Sequence, residues 1–204
     1  MITIEPNTIT PKERYKILTG SVVPRPIALV STINKLGEAN LAPFSFFTVV
    51  CYNPMIFAFF PIRFKKEREF KDTVTNLKIT GECVINIVTK EMIESVNKTS
   101  GLYEYEVDEF EISGLTPLKS EVVTPFRVKE SPVQYECVLN KEVNFGEEVG
   151  GANGMFVEVK KIHVREDLIE EYRIDYKTMN PAARLAGGEW SLLGEIVNLG
   201  RPAD

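Results

Sequence analysis

The chain has 204 residues, 44% apolar and 26% charged, with a formal net charge of −5. That length suits one domain over 1–204, and the balance of apolar and charged residues excludes an intrinsically disordered chain. The acidic balance implies no broad basic surface, which argues against nucleic acid or an anionic membrane as partner.

The opening MITIEPNTITPKER has neither the basic leader nor the apolar core of a signal peptide. The most apolar stretch, around 41–60, is broken by Pro43, Asn53 and Pro54. It falls short of the roughly 18–20 continuous apolar residues of a membrane span. Cys51, Cys83 and Cys137 are scattered singly among apolar neighbours, a pattern expected of buried, reduced thiols in a cytoplasmic protein.

Thr10, Pro11 and Glu13 form the start signal of a helix, and Gly20 a stop, so a helix is predicted near 11–19. Strands are predicted at 26–33, 41–50, 55–60 and 82–88, all short and rich in branched and aromatic residues. Their near-continuous hydrophobicity predicts burial on both faces. Short helices are expected after Asp72, ended by Gly81, and after Thr89, ended by Gly101. The stretch YEYEVDEFE, 103–111, reads as a solvated loop or edge. PVQYECVLN, 132–140, alternates, with Val133, Tyr135, Cys137 and Leu139 on one face. GEEVGGANG, 146–154, leads into a strand and reads as a hairpin turn. In MFVEVKKIHV, 155–164, the alternation changes phase at Lys160-Lys161, as an inserted bulge residue would make it do. A last short helix is expected from Pro181, behind Asn180, to Gly187-Gly188. The architecture that follows is mainly β, a small barrel with a few peripheral helices.

The lone histidine, His163, is expected to be exposed and structural, and without a matched nucleophile it builds no hydrolytic triad. Zinc-ligand spacing, a P-loop and a dinucleotide fingerprint are all missing, and no metal site is expected. An enzyme of this sequence therefore relies on something other than its side chains. Residues 26–54 read as strand, turn at Lys35-Leu36-Gly37, and strand, which gathers Ser31, Thr32 and the Asn40–Ser45 segment at one place. Hydroxyls, an amide and backbone groups beside flat apolar surface suit a planar heterocycle, and Pro43 interrupts the ladder there. Downstream, Arg63, Lys65, Lys66, Arg68 and Lys71 cluster around a loop, with Thr73 opening a helix, a place suited to a phosphate. The competing reading is a core hairpin followed by a solvated charged loop.

GSVVPRPIALVST, GEANLAPFSFFTVVCYNPMIFAF, KDTVTNL, ECVINIV, VDEFEISGLTPLKS and NPAARLAGGEW, in that order, resemble the flavin reductase-like, FMN-binding split-barrel proteins. The resemblance covers nearly the whole chain. It implies an antiparallel split β-barrel, a homodimer, and FMN near the subunit interface. It assigns Asn40, Leu41, Ala42, Pro43, Ser45 and Phe46 to the isoalloxazine and ribityl chain, with Ser31 and Thr32 close by. It assigns Arg63, Lys71 and Thr73 to the phosphate, and Arg184 and Trp190 to the flavin edge, where many relatives have Tyr in place of Trp190. Arg25, between two prolines, is instead expected to fix the approach to the first barrel strand. The activity implied is hydride transfer from NADH or NADPH to FMN, with no catalytic side chain and with a monooxygenase or another acceptor downstream. The alternatives are a flavoredoxin-like electron carrier and a non-redox β-barrel binding module.

Overall fold

In the computed structural model, which describes residues 1–63, 70–105 and 107–200, the Thr10 hydroxyl accepts from the Glu13 N–H at 3.3 Å. The Glu13 carboxylate accepts in return from the Thr10 N–H at 2.8 Å. This reciprocal cap and Pro11 start α1 (Pro11–Ser21), which runs through Gly20 before it ends. The short β1 (Arg25–Pro26) follows, then β2 (Ala28–Ile33), β3 (Ala39–Phe44), β4 (Phe47–Tyr52) and β5 (Met55–Phe59). The predicted strand over 41–50 is thus two strands, broken at Ser45-Phe46.

That break shapes the molecule. Seven antiparallel strands form one sheet in the order β3-β2-β6-β9-β10-β5-β4, so β3 and β4 are its two edges. Here β6 is Glu82–Ile87, and the long pair farther on is β9 (Val133–Phe145) and β10 (Ala152–Val164). Laid flat, six spacings would hold the edges about 29 Å apart. Two linking residues reach only about 10 Å. The sheet must therefore curl until its edges meet beside Ser45-Phe46, into which the β4–β5 pairing runs on, the Phe60 N–H donating to the Phe46 carbonyl at 2.9 Å. No ladder joins β3 to β4 among the described residues, so the barrel is split. Pro43 is accommodated because β3 is an edge.

The β2–β3 hairpin turns where predicted, with Gly37 at φ 84. All six residues of β2 are buried, because the sheet is covered there on both sides, whereas β4, expected to be buried on both faces, leaves Val49, Val50 and Tyr52 exposed. Val30, Phe44, Phe57, Phe59, Ile85, Cys137 and Met155 fill the barrel, and α2 (Asp72–Thr80, ended by Gly81 in the left-handed region) adds Val74 and Leu77. Leu29 and Leu41 point the other way, into a second cluster with Val88, Met92, Val96 and Phe110. The latter residues come from around α3 (Ile93–Lys98) and α4 (Glu109–Ser113). The register shift between Val159 and Lys161 is the expected bulge. Gly146 (φ 87) and Gly150 (φ 91) shape the β9–β10 turn.

Four expectations are corrected. The acidic stretch 103–111 is not solvated throughout: Asp108 caps α4 through the Phe110 N–H, and Glu109 and Phe110 are buried. Glu106 lies outside the described residues. The alternation over 132–140 does not put its second face in solvent, since the polar Gln134 and Glu136 are buried too. Glu136 accepts from the N–H groups of Glu121, Val122 and Val123, and from His163 Nε2 at 2.7 Å. His163 is consequently mostly covered, with a side chain 18% exposed, rather than exposed.

The fourth correction concerns the C-terminal part. After β7 (Pro117–Leu118) and β8 (Arg127–Val128), the chain forms β11 (Ile169–Glu170), β12 (Arg173–Ile174) and α5 (Tyr176–Met179). Asp175 caps α5 at its start, and Asn180, in the left-handed region, ends it. Asn180 is therefore a helix stop, and 181–191 folds as β13 (Ala183–Arg184) and β14 (Trp190–Ser191). Cys83 and Cys137 are buried as expected while Cys51 is only partly so, and Cys83 and Cys137 are not isolated: they face each other across the β6–β9 ladder.

Candidate functional site

Where the barrel is split, a cavity of about 290 Å3 opens, near the lower end of the range for ligand pockets. From β3 and the link after it come Asn40, Ala42, Pro43, Phe44, Ser45 and Phe46. Ile62 and Arg63 come from the segment after β5, and Lys71, Asp72, Thr73 and Val74 from the first turn of α2. Four consecutive lining residues put the positive end of the α2 dipole on the cavity.

Asn40 is the hub of its polar side. Its amide donates to Thr32 Oγ at 3.2 Å and to Thr73 Oγ at 3.1 Å. Thr32 Oγ also accepts from Asn76 of α2 at 3.2 Å, and Asn76 Oδ1 accepts from the Tyr105 hydroxyl at 2.6 Å. Thr32 therefore stands behind Asn40 and orients it rather than lining the cavity.

Arg63 is fixed by the β9–β10 turn: its N–H donates to the Gly151 carbonyl and its carbonyl accepts from the Gly150 N–H, each at 2.9 Å. A Cβ on Gly151 would collide with the Gly146 carbonyl, so the turn that holds Arg63 requires glycine there. The Arg63 guanidinium lies 4.8 Å from the Phe70 ring centre. Burial pushes the Lys71 ammonium below its ordinary range, against the opposing pull of Asp72 and Glu109. Ser45 is reached by Arg25 Nε at 3.4 Å. The same guanidinium donates to the carbonyls of Thr19, Val22 and Leu185, so Arg25 fastens α1 and the C-terminal segment to the cavity rim.

Of the residues singled out in the sequence, the cavity brings together Asn40, Ala42, Pro43, Ser45, Phe46, Arg63, Lys71 and Thr73. Ser31, fully buried, and Leu41, whose side chain enters the second core cluster, do not line it. Arg184 and Trp190 face each other across the β13–β14 pair. The Arg184 guanidinium binds the Gly187 and Glu189 carbonyls and stands 5.1 Å from the Trp190 ring centre, outside the cavity lining. Lys65, Lys66 and Arg68 lie outside the described residues.

Sequence reasoning missed Tyr15, Phe60, Phe70, the segment 99–103, Glu109 and Asn153, all of which line the cavity. Glu109 matters most among these. It is 6% exposed, and one carboxylate oxygen accepts from the Leu41 N–H at 2.9 Å. Burial raises its carboxyl to about 7, a rise opposed by the Leu41 N–H and reinforced by Asp72 and Asp108. No local signal marks it, because the group that meets its carboxylate, the Leu41 N–H, is distant in the chain.

Residues 19–180 match the flavin reductase-like domain family. The chain belongs to that family. Its function is flavin-related, and it is an oxidoreductase-type protein. A protein of Halalkalibacterium halodurans is 36% identical over 201 residues, covering 98% of this chain and 96% of its own. One from Aquifex aeolicus is 40% identical over 174 residues, covering 85% and 86%. Among solved structures, the nitrilotriacetate monooxygenase component B of Bacillus cereus is 37% identical, with a TM-score of 0.93 over 98% of each chain. The 2-nitrobenzoate 2-nitroreductase NbaA of Pseudomonas fluorescens is 28% identical, with a TM-score of 0.88 over 98% of this chain and 96% of its own. A Shewanella frigidimarina protein with a split barrel domain shares the fold, with a TM-score of 0.84 at 20% identity over 99% and 100% of the two chains. The family match ends before Arg184 and Trp190.

Proposed function

We propose that this protein binds FMN in the split-barrel cavity and works as an NADH- or NADPH-dependent flavin reductase. One observation carries the reading: a single cavity joins two cations and a helix N-terminus to an amide, hydroxyls and aromatic walls. That donor set suits a flat heterocycle bearing a phosphate. Arg63, Lys71 and the start of α2 would neutralise the phosphate, with Thr73 beside them. Asn40 and Ser45 would give directional hydrogen bonds, and Phe44, Phe46 and Phe60 would exclude water from one side. Bound FMN supplies the hydride-accepting centre that these side chains lack. The residues bind, orient and shield.

A relative that is itself a monooxygenase component supports a place upstream of an oxygenase or another electron acceptor. A homodimer belongs to the same reading, because the edge strand β4 leaves Val49, Val50 and Tyr52 exposed on an unpaired sheet edge. The free thiols support a cytoplasmic location.

The test is the absorption spectrum of the protein with FMN, recorded anaerobically before and after each nicotinamide. Loss of the yellow band with NADH or NADPH is expected. Bound FMN that neither nicotinamide bleaches would leave an electron carrier in place of a reductase. Failure to bind FMN would leave a binding module without flavin.

A further inference from the structure

Glu109 is a carboxyl built into a cavity that otherwise collects cations, amides and hydroxyls. It is 6% exposed and lines the same space as Arg63, Lys71 and Thr73. Its anchor is the Leu41 N–H, between the lining residues Asn40 and Ala42, so the carboxyl cannot swing away without releasing the β3 edge. The charged groups facing it are Lys71 and Asp72 at the start of α2 and Asp108 on its own element. Arg63 lines the same cavity from the segment after β5.

A ligand with a doubly charged phosphate brings negative charge beside this carboxyl. Two like charges in a partly desolvated space do not both persist, and the carboxyl can be neutralised by a proton from solvent. We infer that Glu109 sets the affinity of the cavity for phosphate-bearing ligands by taking up one proton as the ligand enters. This rests on the phosphate-binding reading above and deepens it. The proton goes onto the carboxylate oxygen that does not accept from Leu41, so that bond survives and the strand edge stays in place. The balance is simple: protein carboxylate, solvent proton and ligand dianion give neutral carboxyl and bound dianion.

The free carboxyl titrates at about 7, so both forms are present near neutrality. The phosphate's second ionisation lies near 6, so above pH ~7 the ligand charge is nearly constant. Affinity for FMN should then fall as pH rises above about 7, by up to tenfold per pH unit until the carboxyl of the complex itself ionises. Riboflavin, which lacks the phosphate, should show no such dependence. Lys71, whose ammonium burial holds below its ordinary range, adds a second loss at higher pH.

The experiment titrates FMN and riboflavin into the full-length protein between about pH 6.5 and 8.5, in the wild type and in Glu109→Gln. Gln keeps an oxygen for the Leu41 N–H. The expected result is roughly tenfold weaker FMN binding at the high end in the wild type, little change in the variant, and no change with riboflavin. Infrared difference spectra of the wild type alone, near pH 8, should gain a protonated-carboxyl band on adding FMN but not riboflavin. This second readout does not depend on the variant folding. FMN that binds with the same slope in wild type and variant, or without the carboxyl band, overturns the inference and leaves the flavin reading standing. FMN that fails to bind the wild type at every pH overturns both.

Discussion

Asn40 donates to Thr73 Oγ across 3.1 Å, and that bond joins the outer strand of the barrel to the first turn of α2 at the cavity wall. The same amide reaches Thr32, so one side chain fixes the strand edge and the helix start together. Asn40→Ala should leave the buried Thr73 hydroxyl short of a partner, while Thr32 keeps Asn76, and lower stability by about 1–3 kcal/mol. Urea unfolding measures this, and FMN titration should show weaker binding in the same variant. A variant as stable as the wild type would mean that the α2 start is held in place by other contacts.

Lys71→Ala should weaken FMN by about 1–3 kcal/mol, because a charge-assisted contact to the phosphate is lost. Riboflavin binding should be nearly unaffected. Equal losses for both ligands would assign Lys71 to the ring or ribityl end.

Glu109 also bears on folding. Its folded-state carboxyl lies at about 7, above its ordinary value of 4.5. The native state therefore binds a proton that the unfolded state releases, a contribution fully present below 4.5 and lost as pH rises through about 7. Glu109→Gln removes this titration, so it should raise the Tm at about pH 8 more than at pH 5. Thermal melts across that range decide it, and a pH-independent difference would contradict it.

Glu136 behaves in the opposite sense. Burial alone would raise its carboxyl, but the amides of Glu121, Val122 and Val123 and the His163 ring hold it below the usual carboxylate range. Its stabilisation is present above the ordinary 4.5 and lost as pH falls through the lowered folded value. Glu136→Ala removes the shared acceptor of three backbone donors, of which Val123 is buried, and should cost about 1–3 kcal/mol. Acid and urea unfolding of the variant are the measurements, and a loss below about 1 kcal/mol would show that water replaces the carboxylate.

Val49→Lys places a charge on the exposed edge strand β4, where Val49 is 62% exposed. If this edge is the dimer contact, light scattering should show the variant shifted towards monomer, with its fold retained by circular dichroism. An unchanged mass would move the contact elsewhere.

Local chemistry made much of this protein legible. The Thr10-Pro11-Glu13 start of α1, the Gly81 end of α2, the Gly37 turn and the phase change before Lys161 were readable because caps, left-handed residues and bulges act over a few neighbouring residues. Asn40, Ala42, Pro43, Ser45 and Phe46, grouped by the sequence, do line one cavity. Asn180 was misread because a helix stop and a helix start look alike without the preceding Asp175 cap. Glu109 and Glu136 were illegible, since nothing near either residue reveals that distant backbone amides will meet its carboxylate.

The sequence by itself determined a mainly β chain, its hairpins and most of its helix ends, and supplied amides, hydroxyls and cations over 31–45 and 63–73. Only the tertiary structure decided which of them share a cavity. It placed Arg63, Lys71 and Asn40 together, set Thr32 behind them, and put Arg184 and Trp190 on another hairpin. The physical reason is closure: β3 and β4, joined by two residues, are opposite edges of a seven-stranded sheet. Joining them forces the curl that brings 40–46, 60–63 and 70–74 around one opening.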